Sequence, residues 1–107
     1  NVRYSINFDY DKALLNPKGH NLTFRLRADL PEIDKNLEHK LNETKVSNKK
    51  LKEIGYLSSQ KIEIDHKYIN ISCKIKKIPL EDKEIDNLCN QLWGHIIKKV
   101  FLVVHEF

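Results

Sequence analysis

The sequence predicts an α+β fold, in which an antiparallel sheet carries two helices packed on one face. Two segments, 2–8 and 22–29, alternate between apolar and polar residues as half-buried strands do. The run Asn-Pro-Lys-Gly at 16–19 lies between them and is typical of a turn. A later segment, 79–99, spaces its apolar residues as an amphipathic helix does. Paired strands followed by a helix are typical of an antiparallel sheet covered on one side.

Length and composition indicate one ordinary globular domain spanning 1–107. The chain has 107 residues, of which 40% are hydrophobic and 32% are charged. No apolar run approaches the roughly 20 residues needed to span a bilayer, and no leader of the secretory type opens the chain at Asn1. The net charge of +4 is mild and the lysines are scattered. We therefore expect neither a membrane nor a nucleic acid as partner.

The cysteines indicate the compartment. Cys73 and Cys89 have neither the spacing of a metal or redox motif nor a framework of further cysteines. We expect both to be reduced thiols in a cytoplasmic protein.

The middle of the chain leaves two assignments open. Residues 32–44 are highly charged and fit either a short solvated helix or a connecting loop, whereas a second helix begins near Ser47 and extends to about Leu57. Segment 61–78 is rich in isoleucine and, from the residues alone, predicts two strands.

The last third predicts a helix and then a strand. Carboxylates at 81–84 favour the positive end of a helix, whose apolar face includes Leu92, Trp93 and Ile96 as core residues. The apolar run Val100–Val104 then predicts a final strand.

Three separated clusters of His, Asp, Glu and Asn suggest a site assembled from distant segments. They are the run Asn-Pro-Lys-Gly-His-Asn at 16–21, the run Ile-Asp-His-Lys-Tyr-Ile-Asn at 64–70, and the run Val-Val-His-Glu at 103–106. In the second run, Asp65 and His66 set an acidic residue and a histidine side by side between apolar residues.

In this order the segments resemble the 6-pyruvoyl-tetrahydropterin synthase and 6-carboxy-tetrahydropterin synthase family, which has the tunnelling fold. Run 16–21 looks like the family's Asn-Pro-x-Gly-His-Gly-His-Asn-Tyr, and run 64–70 looks like its Leu-Asp-His-x-x-Leu-Asn. Run 101–106 echoes its Val-x-Val-x-Glu-Thr strand. The resemblance implies a β-β-α-α-β order, with Asp65 and His66 between two helices. It also implies that the last strand is missing or lies outside the chain, which stops at Phe107.

The resemblance also implies an activity. The family's lyases suggest a substrate that is a dihydropterin or dihydroneopterin triphosphate, with Asp65 and His66 as catalytic residues. Glu106 would clamp the amino-pyrimidine of the pterin through paired hydrogen bonds, and Asn21 would help to bind it. The family further implies a homo-oligomer in a multiple of three.

The zinc site implied by the resemblance is degenerate. The family uses three histidines, of which only His20 has a counterpart, whereas Asp9 and Asp11 stand near the place of another. A catalytic zinc takes about three protein ligands, so we expect substoichiometric zinc. Lys12–Leu15 replaces the loop of the family's catalytic cysteine. A pterin binder without turnover and a non-catalytic interaction module are therefore the alternatives to a lyase.

Overall fold

Four strands form one antiparallel sheet in the computed structural model, which describes residues 2–10, 22–76 and 79–105. The spatial order of the strands is β1-β2-β4-β3, so that β1 and β3 are the edges. The strands are β1 Arg3–Tyr10, β2 Leu22–Asp29, β3 Leu57–Ile64 and β4 Tyr68–Ile75. The predicted class, α+β with an antiparallel sheet, is confirmed.

The helices lie on one face of this sheet. Their bounds are α1 Lys35–Glu43, α2 Asn48–Ile54, α3 Asp82–Leu92 and α4 Lys98–His105, with a π-helical turn, Trp93–Ile97, joining the last two. The open assignment of 32–44 is resolved as a helix, because the Asp34 carboxylate accepts a hydrogen bond from the Leu37 N–H at 2.8 Å and caps α1. Ser47 caps α2 in the same way, and Gly55 ends it in the left-handed region with φ of 81°.

Asp65 and His66 do not join two helices, so that expectation from the resemblance is wrong. They lie in the turn of a β3–β4 hairpin, as the reading from the residues alone predicts. Ile62 pairs with Ile71 and buries part of its side chain on the same face of the sheet. Apolar residues alternate with polar ones in this segment, so the apolar residues repeat with a period of two. A strand places such residues on one face, and a helix does not.

The predicted final strand at Val100–Val104 is also wrong, because this run is helix α4. The reason is a stripe of buried side chains that repeats every four residues from α3 onward, namely Leu88, Leu92, Ile96, Val100 and Val104. In a regular α-helix each such step overshoots a full turn by about 40°. The π-helical turn, in which the Lys98 N–H donates to the Trp93 carbonyl, offsets part of this rotation. The β-β-α-α-β order is thus replaced by two strands, two helices, a hairpin and a long interrupted helix.

The core lies between the sheet and this helical layer. From the sheet it receives the inward side chains of β2 and β4, among them Phe24, Leu26, Ile69 and Ile71, each about 1% exposed. The opposite face of the sheet is polar, as is common for a one-sided antiparallel sheet. Among the described residues, no helix is both long and apolar enough to cross a membrane.

The cap of α1 generates a testable prediction. Replacing Asp34 with alanine removes the acceptor of the Leu37 N–H, and we expect the free energy of unfolding to fall by about 1 kcal/mol. Asp34→Asn is the matched control, because its side-chain oxygen still caps the helix. Urea denaturation followed by circular dichroism measures both variants, and equal losses in the two would show that the cap does not stabilise α1.

Candidate functional site

The turn that carries Asp65 and His66 is held by backbone hydrogen bonds on both sides. The Asp65 N–H donates to the Tyr68 carbonyl at 2.9 Å, within the hairpin. The Ile33 N–H donates to the His66 carbonyl at 2.9 Å, and the Leu30 N–H donates to the Lys67 carbonyl at 2.8 Å. The turn is therefore fixed to the segment that leads into α1.

The side chains of Asp65 and His66 are exposed, and the Asp65 carboxylate bonds to the backbone of the turn. Asp65 Oδ1 accepts a hydrogen bond from the backbone N–H of His66 at 2.7 Å. Such a contact between an aspartate and the following backbone stabilises a turn. Asp65 thus has a structural role in addition to any role that it has toward the His66 imidazole.

An open hollow of about 330 Å³ lies beside this turn. Its lining residues are Asp65, His66, Lys67 and Tyr68. The Arg27 guanidinium lies 4.4 Å from the centre of the Tyr68 ring and holds that ring from the polar face of the sheet. All four residues that line the hollow are titratable, and the hollow is open to water.

The other predicted site residues are His20, Asn21 and Glu106. All three lie outside the described residues, so their roles stay predictions.

The zinc site that the resemblance implies lies mostly outside the described residues, so its occupancy stays a prediction. In ranges 2–10, 22–76 and 79–105, no group of three or more His, Cys, Asp or Glu is placed to hold a metal ion. The carboxylate of Asp9, one of the two candidate replacement ligands, is engaged by Arg25 on β2. Asp11, the other, lies outside the described residues.

Neither cysteine belongs to a reactive arrangement. Cys73 is buried in the core on β4, where burial raises the pKa of its thiol to about 12 and keeps it protonated. Cys89 is an exposed free thiol on α3. Their expected state as free thiols is confirmed.

A second candidate site, which the sequence reasoning missed, is an aromatic cluster between β1 and α4. The rings of Tyr4 and Phe101 lie 4.4 Å apart, and Trp93 meets Phe101 edge-on at 6.0 Å. A hydrogen bond of 2.9 Å joins the Tyr4 hydroxyl to His105 Nε2. Burial raises the pKa of Tyr4, so this hydroxyl is protonated at neutral pH. The cluster fixes α4 to one end of β1.

Beyond this cluster the apolar surface is uncovered. Four side chains, which we name the apolar ledge, are about half exposed: Ile6 at 47%, Phe8 at 50%, Trp93 at 48% and Leu102 at 49%. A mainly apolar groove of about 480 Å³ runs along the helical part of the ledge and is lined by Trp93, Lys98, Phe101, Leu102 and His105. Ile6 and Phe8 share one face of β1, and Trp93 and Leu102 share the groove. Large apolar side chains that are grouped in this way mark interaction sites more often than scattered ones do.

Phe8 and Trp93 correct the sequence interpretation. Phe8 stands opposite Phe24 and shares its face of the sheet, as the alternation predicts, yet half of it stays exposed. Trp93 was expected in the core but lies at the start of the π-helical turn, outside the buried stripe. The sequence feature that would have predicted an exposed Trp93 is the four-residue repeat Leu88, Leu92, Ile96, Val100 and Val104, to which Trp93 does not belong.

The two edges of the sheet differ in their protection. β3 has an irregularity in its pairing between Leu57 and Ser59, and it carries the exposed charges Lys61 and Glu63. Bulges and charges are the usual means by which edge strands avoid further pairing. β1 pairs with β2 without any irregularity, and its central residue is the apolar Ile6. β1 also carries exposed charges, Arg3 and Asp9, so among the described strands it differs from β3 in being the edge without a bulge.

Comparison with protein-family models, with curated proteins and with solved structures finds no match to this chain. The geometry of the described residues is consequently the basis for a proposal of function. Two places offer one: the turn of the β3–β4 hairpin and the apolar ledge beside β1.

The structural role of Asp65 can be tested separately from any chemistry. Asp65→Ala removes the acceptor of the His66 N–H, and we expect a loss of about 1 kcal/mol in the free energy of unfolding. Asp65→Asn retains an oxygen at this position and should lose less. His66→Ala should change stability little, since the imidazole is exposed. Urea denaturation of the three variants measures this order, and a larger loss for His66→Ala would contradict it.

Proposed function

We propose that this chain is a non-catalytic protein-interaction module, which receives an extended segment of a partner along the free edge of β1. The observation that carries this proposal is the half-exposed pair Ile6 and Phe8 on an edge strand whose pairing has no irregularity, unlike that of β3. Addition of a strand to an exposed edge is a recurring mode of recognition, in which main-chain hydrogen bonds give affinity and side-chain contacts give specificity.

The chemistry of the segment follows from the two faces of β1. On the helical side it meets Ile6, Phe8 and the groove around Phe101, so its side chains there are apolar or aromatic. On the other side it meets the polar residues that alternate with them, among them Ser5 and Asn7. The partner segment is thus an extended strand that alternates between apolar and polar residues.

A synthetic strand tests this proposal. The probe is a fluorescein-labelled peptide in which threonine and valine alternate, and fluorescence anisotropy measures its binding to the dilute protein. We expect saturable binding that is lost in Ile6→Lys, because lysine on an edge strand opposes pairing. Ile85→Lys is the matched control, since Ile85 on α3 is 43% exposed.

A second peptide makes the test specific for strand addition. It carries proline in place of its central valine, which removes a backbone donor, and it should bind more weakly than the first. Equal binding of both peptides, or equal binding to both protein variants, would contradict the proposal.

A pterin site at the hairpin turn is a second candidate. The observation in its favour is that Asp65, His66 and Tyr68 line one hollow. In this candidate the chain is a divergent lyase acting on a dihydropterin or dihydroneopterin triphosphate, with the tunnelling fold and an assembly in multiples of three, in the cytoplasm. The antiparallel sheet with helices on one face supports the α+β class of that fold, whereas the element order differs from it, and the free thiols support the location. His66 would move the proton and Asp65 would support its imidazole.

Fluorescence titration with neopterin tests the second candidate. A pterin site predicts saturable binding, with affinity nearly unchanged in His66→Ala and turnover reduced on the order of 100-fold or more. His39→Ala is the matched control, because His39 is an exposed histidine on α1 paired with Glu43. Absence of neopterin binding to the wild-type protein would remove this candidate.

A further inference from the structure

We propose that the segment received by β1 is β1 of a second copy of this chain, paired antiparallel with Ile6 opposite Ile6. This inference rests on the interaction module proposed above and names its partner. In such a pair, residues at equal distances on either side of Ile6 stand opposite each other. The two sheets then join into one continuous sheet about a two-fold axis, with both helical layers on the same side.

The apolar face of β1 is self-complementary in this arrangement. Ile6 meets its own copy at the axis, and Tyr4 meets Phe8 of the second copy on each side of it. Aromatic and β-branched side chains directly opposite each other are favourable pairs in antiparallel sheets. Tyr4 already packs on Phe101 and bonds to His105, both of which line the apolar groove. Phe8 of the second copy therefore lies beside that groove, and the two-fold axis repeats this contact on the other side of the dimer.

The polar face is complementary in charge. Arg3 stands opposite Asp9 of the second copy at one end, and Asp9 stands opposite Arg3 at the other, while Ser5 meets Asn7 between them. Arg3 is exposed and takes part in no ion pair among the described residues. Arg25 contacts Asp9 through Oδ2, and among the described residues no contact to Oδ1 of the same carboxylate is found, so this oxygen can face Arg3 of the second copy. Opposite charges directly across a pair of strands are favourable.

Neighbouring registers lose this complementarity. A shift by one residue sets Ile6 against Asn7, which places an apolar and a polar side chain on one face. A shift by two in one direction leaves Arg3 opposite no residue of β1, and a shift by two in the other leaves Asp9 opposite none. The register centred on Ile6 is thus the one that pairs both charges within the strand.

Disulfide trapping tests the register directly. The background is Cys89→Ser, because Cys89 is the exposed thiol and Cys73 is buried. Ile6→Cys places two cysteines opposite each other at about 4.5–5.5 Å between Cα atoms, which is within the reach of a disulfide. We expect a covalent dimer on non-reducing gels after mild oxidation. Ser5→Cys and Asn7→Cys are the register controls and should link poorly, since in this pair each faces the other position rather than itself.

Charge reversal tests the end pairs. Arg3→Glu places a like charge opposite Asp9 at both ends of the dimer, as well as opposite Asp29 on its own β2. We expect dimerisation to weaken about tenfold or more by sedimentation equilibrium. Lys74→Glu is the matched control, because it makes the same charge change at an exposed position on the inner strand β4. Equal weakening in both variants would contradict the pairing of Arg3 with Asp9.

The outcomes separate this inference from the proposed function. A monomer at micromolar concentration that still binds the threonine-valine peptide overturns the second copy as partner and leaves the interaction module standing. A monomer that binds no peptide overturns both. Covalent dimers from Asn7→Cys or Ser5→Cys but not from Ile6→Cys overturn the register. An assembly in multiples of three, unaffected by Arg3→Glu, overturns the inference in favour of the pterin candidate.

Discussion

The helical layer covers the apolar faces of the central strands β2 and β4, but it reaches only the Tyr4 end of β1. This follows from the buried stripe of the interrupted helix, which packs on the sheet through Ile96 and Val100 while Phe101 and His105 contact Tyr4. Among the described helices, none covers the rest of β1, where Ile6 and Phe8 are about half exposed. The apolar side chains Ile6 and Phe8 of this edge strand are therefore each about half exposed, and the surface properties of the molecule depend on that gap.

The π-helical turn controls where the gap lies. Without it, a stripe that repeats every four residues would rotate away from the sheet before reaching Val104. With it, one helix covers the core along its whole length, and Trp93 is placed beside the stripe rather than within it. Turns of this kind often occur at functional sites. Here the π-helical turn keeps the buried stripe facing the core, and it also places Trp93 in the apolar ledge.

The two candidate sites differ in how many contacts their side chains already make within the monomer. At the hairpin turn, the Asp65 carboxylate is used by the His66 backbone, and the turn is tied to the segment before α1. At the edge of β1, Arg3 is exposed and takes part in no ion pair among the described residues, although it stands opposite Asp29 of β2, and Ile6 and Phe8 are about half exposed. Surface that the monomer leaves unused is the stronger indication of an interaction, which is why the interaction module is preferred to the lyase.

The sequence by itself determined the elements that local patterns specify. The alternation in β1 and β2, the isoleucine-rich hairpin and the cap at Ser47 were all readable, because strand period, turn chemistry and capping act over a few residues. Two errors arose where a local pattern was overruled. The resemblance implied that Asp65 and His66 lie between two helices, although the residues around them alternate with a period of two. The β-branched run ending at Val104 was assigned to a strand. Only the tertiary structure decided that Val100–Val104 is helical. The buried stripe that identifies this helix begins far upstream at Leu88, and it is recognised as buried only once the helix packs on the sheet. The tertiary structure also decided that Phe8 lies beyond the reach of the helices, because the width of a covering layer depends on packing between distant segments.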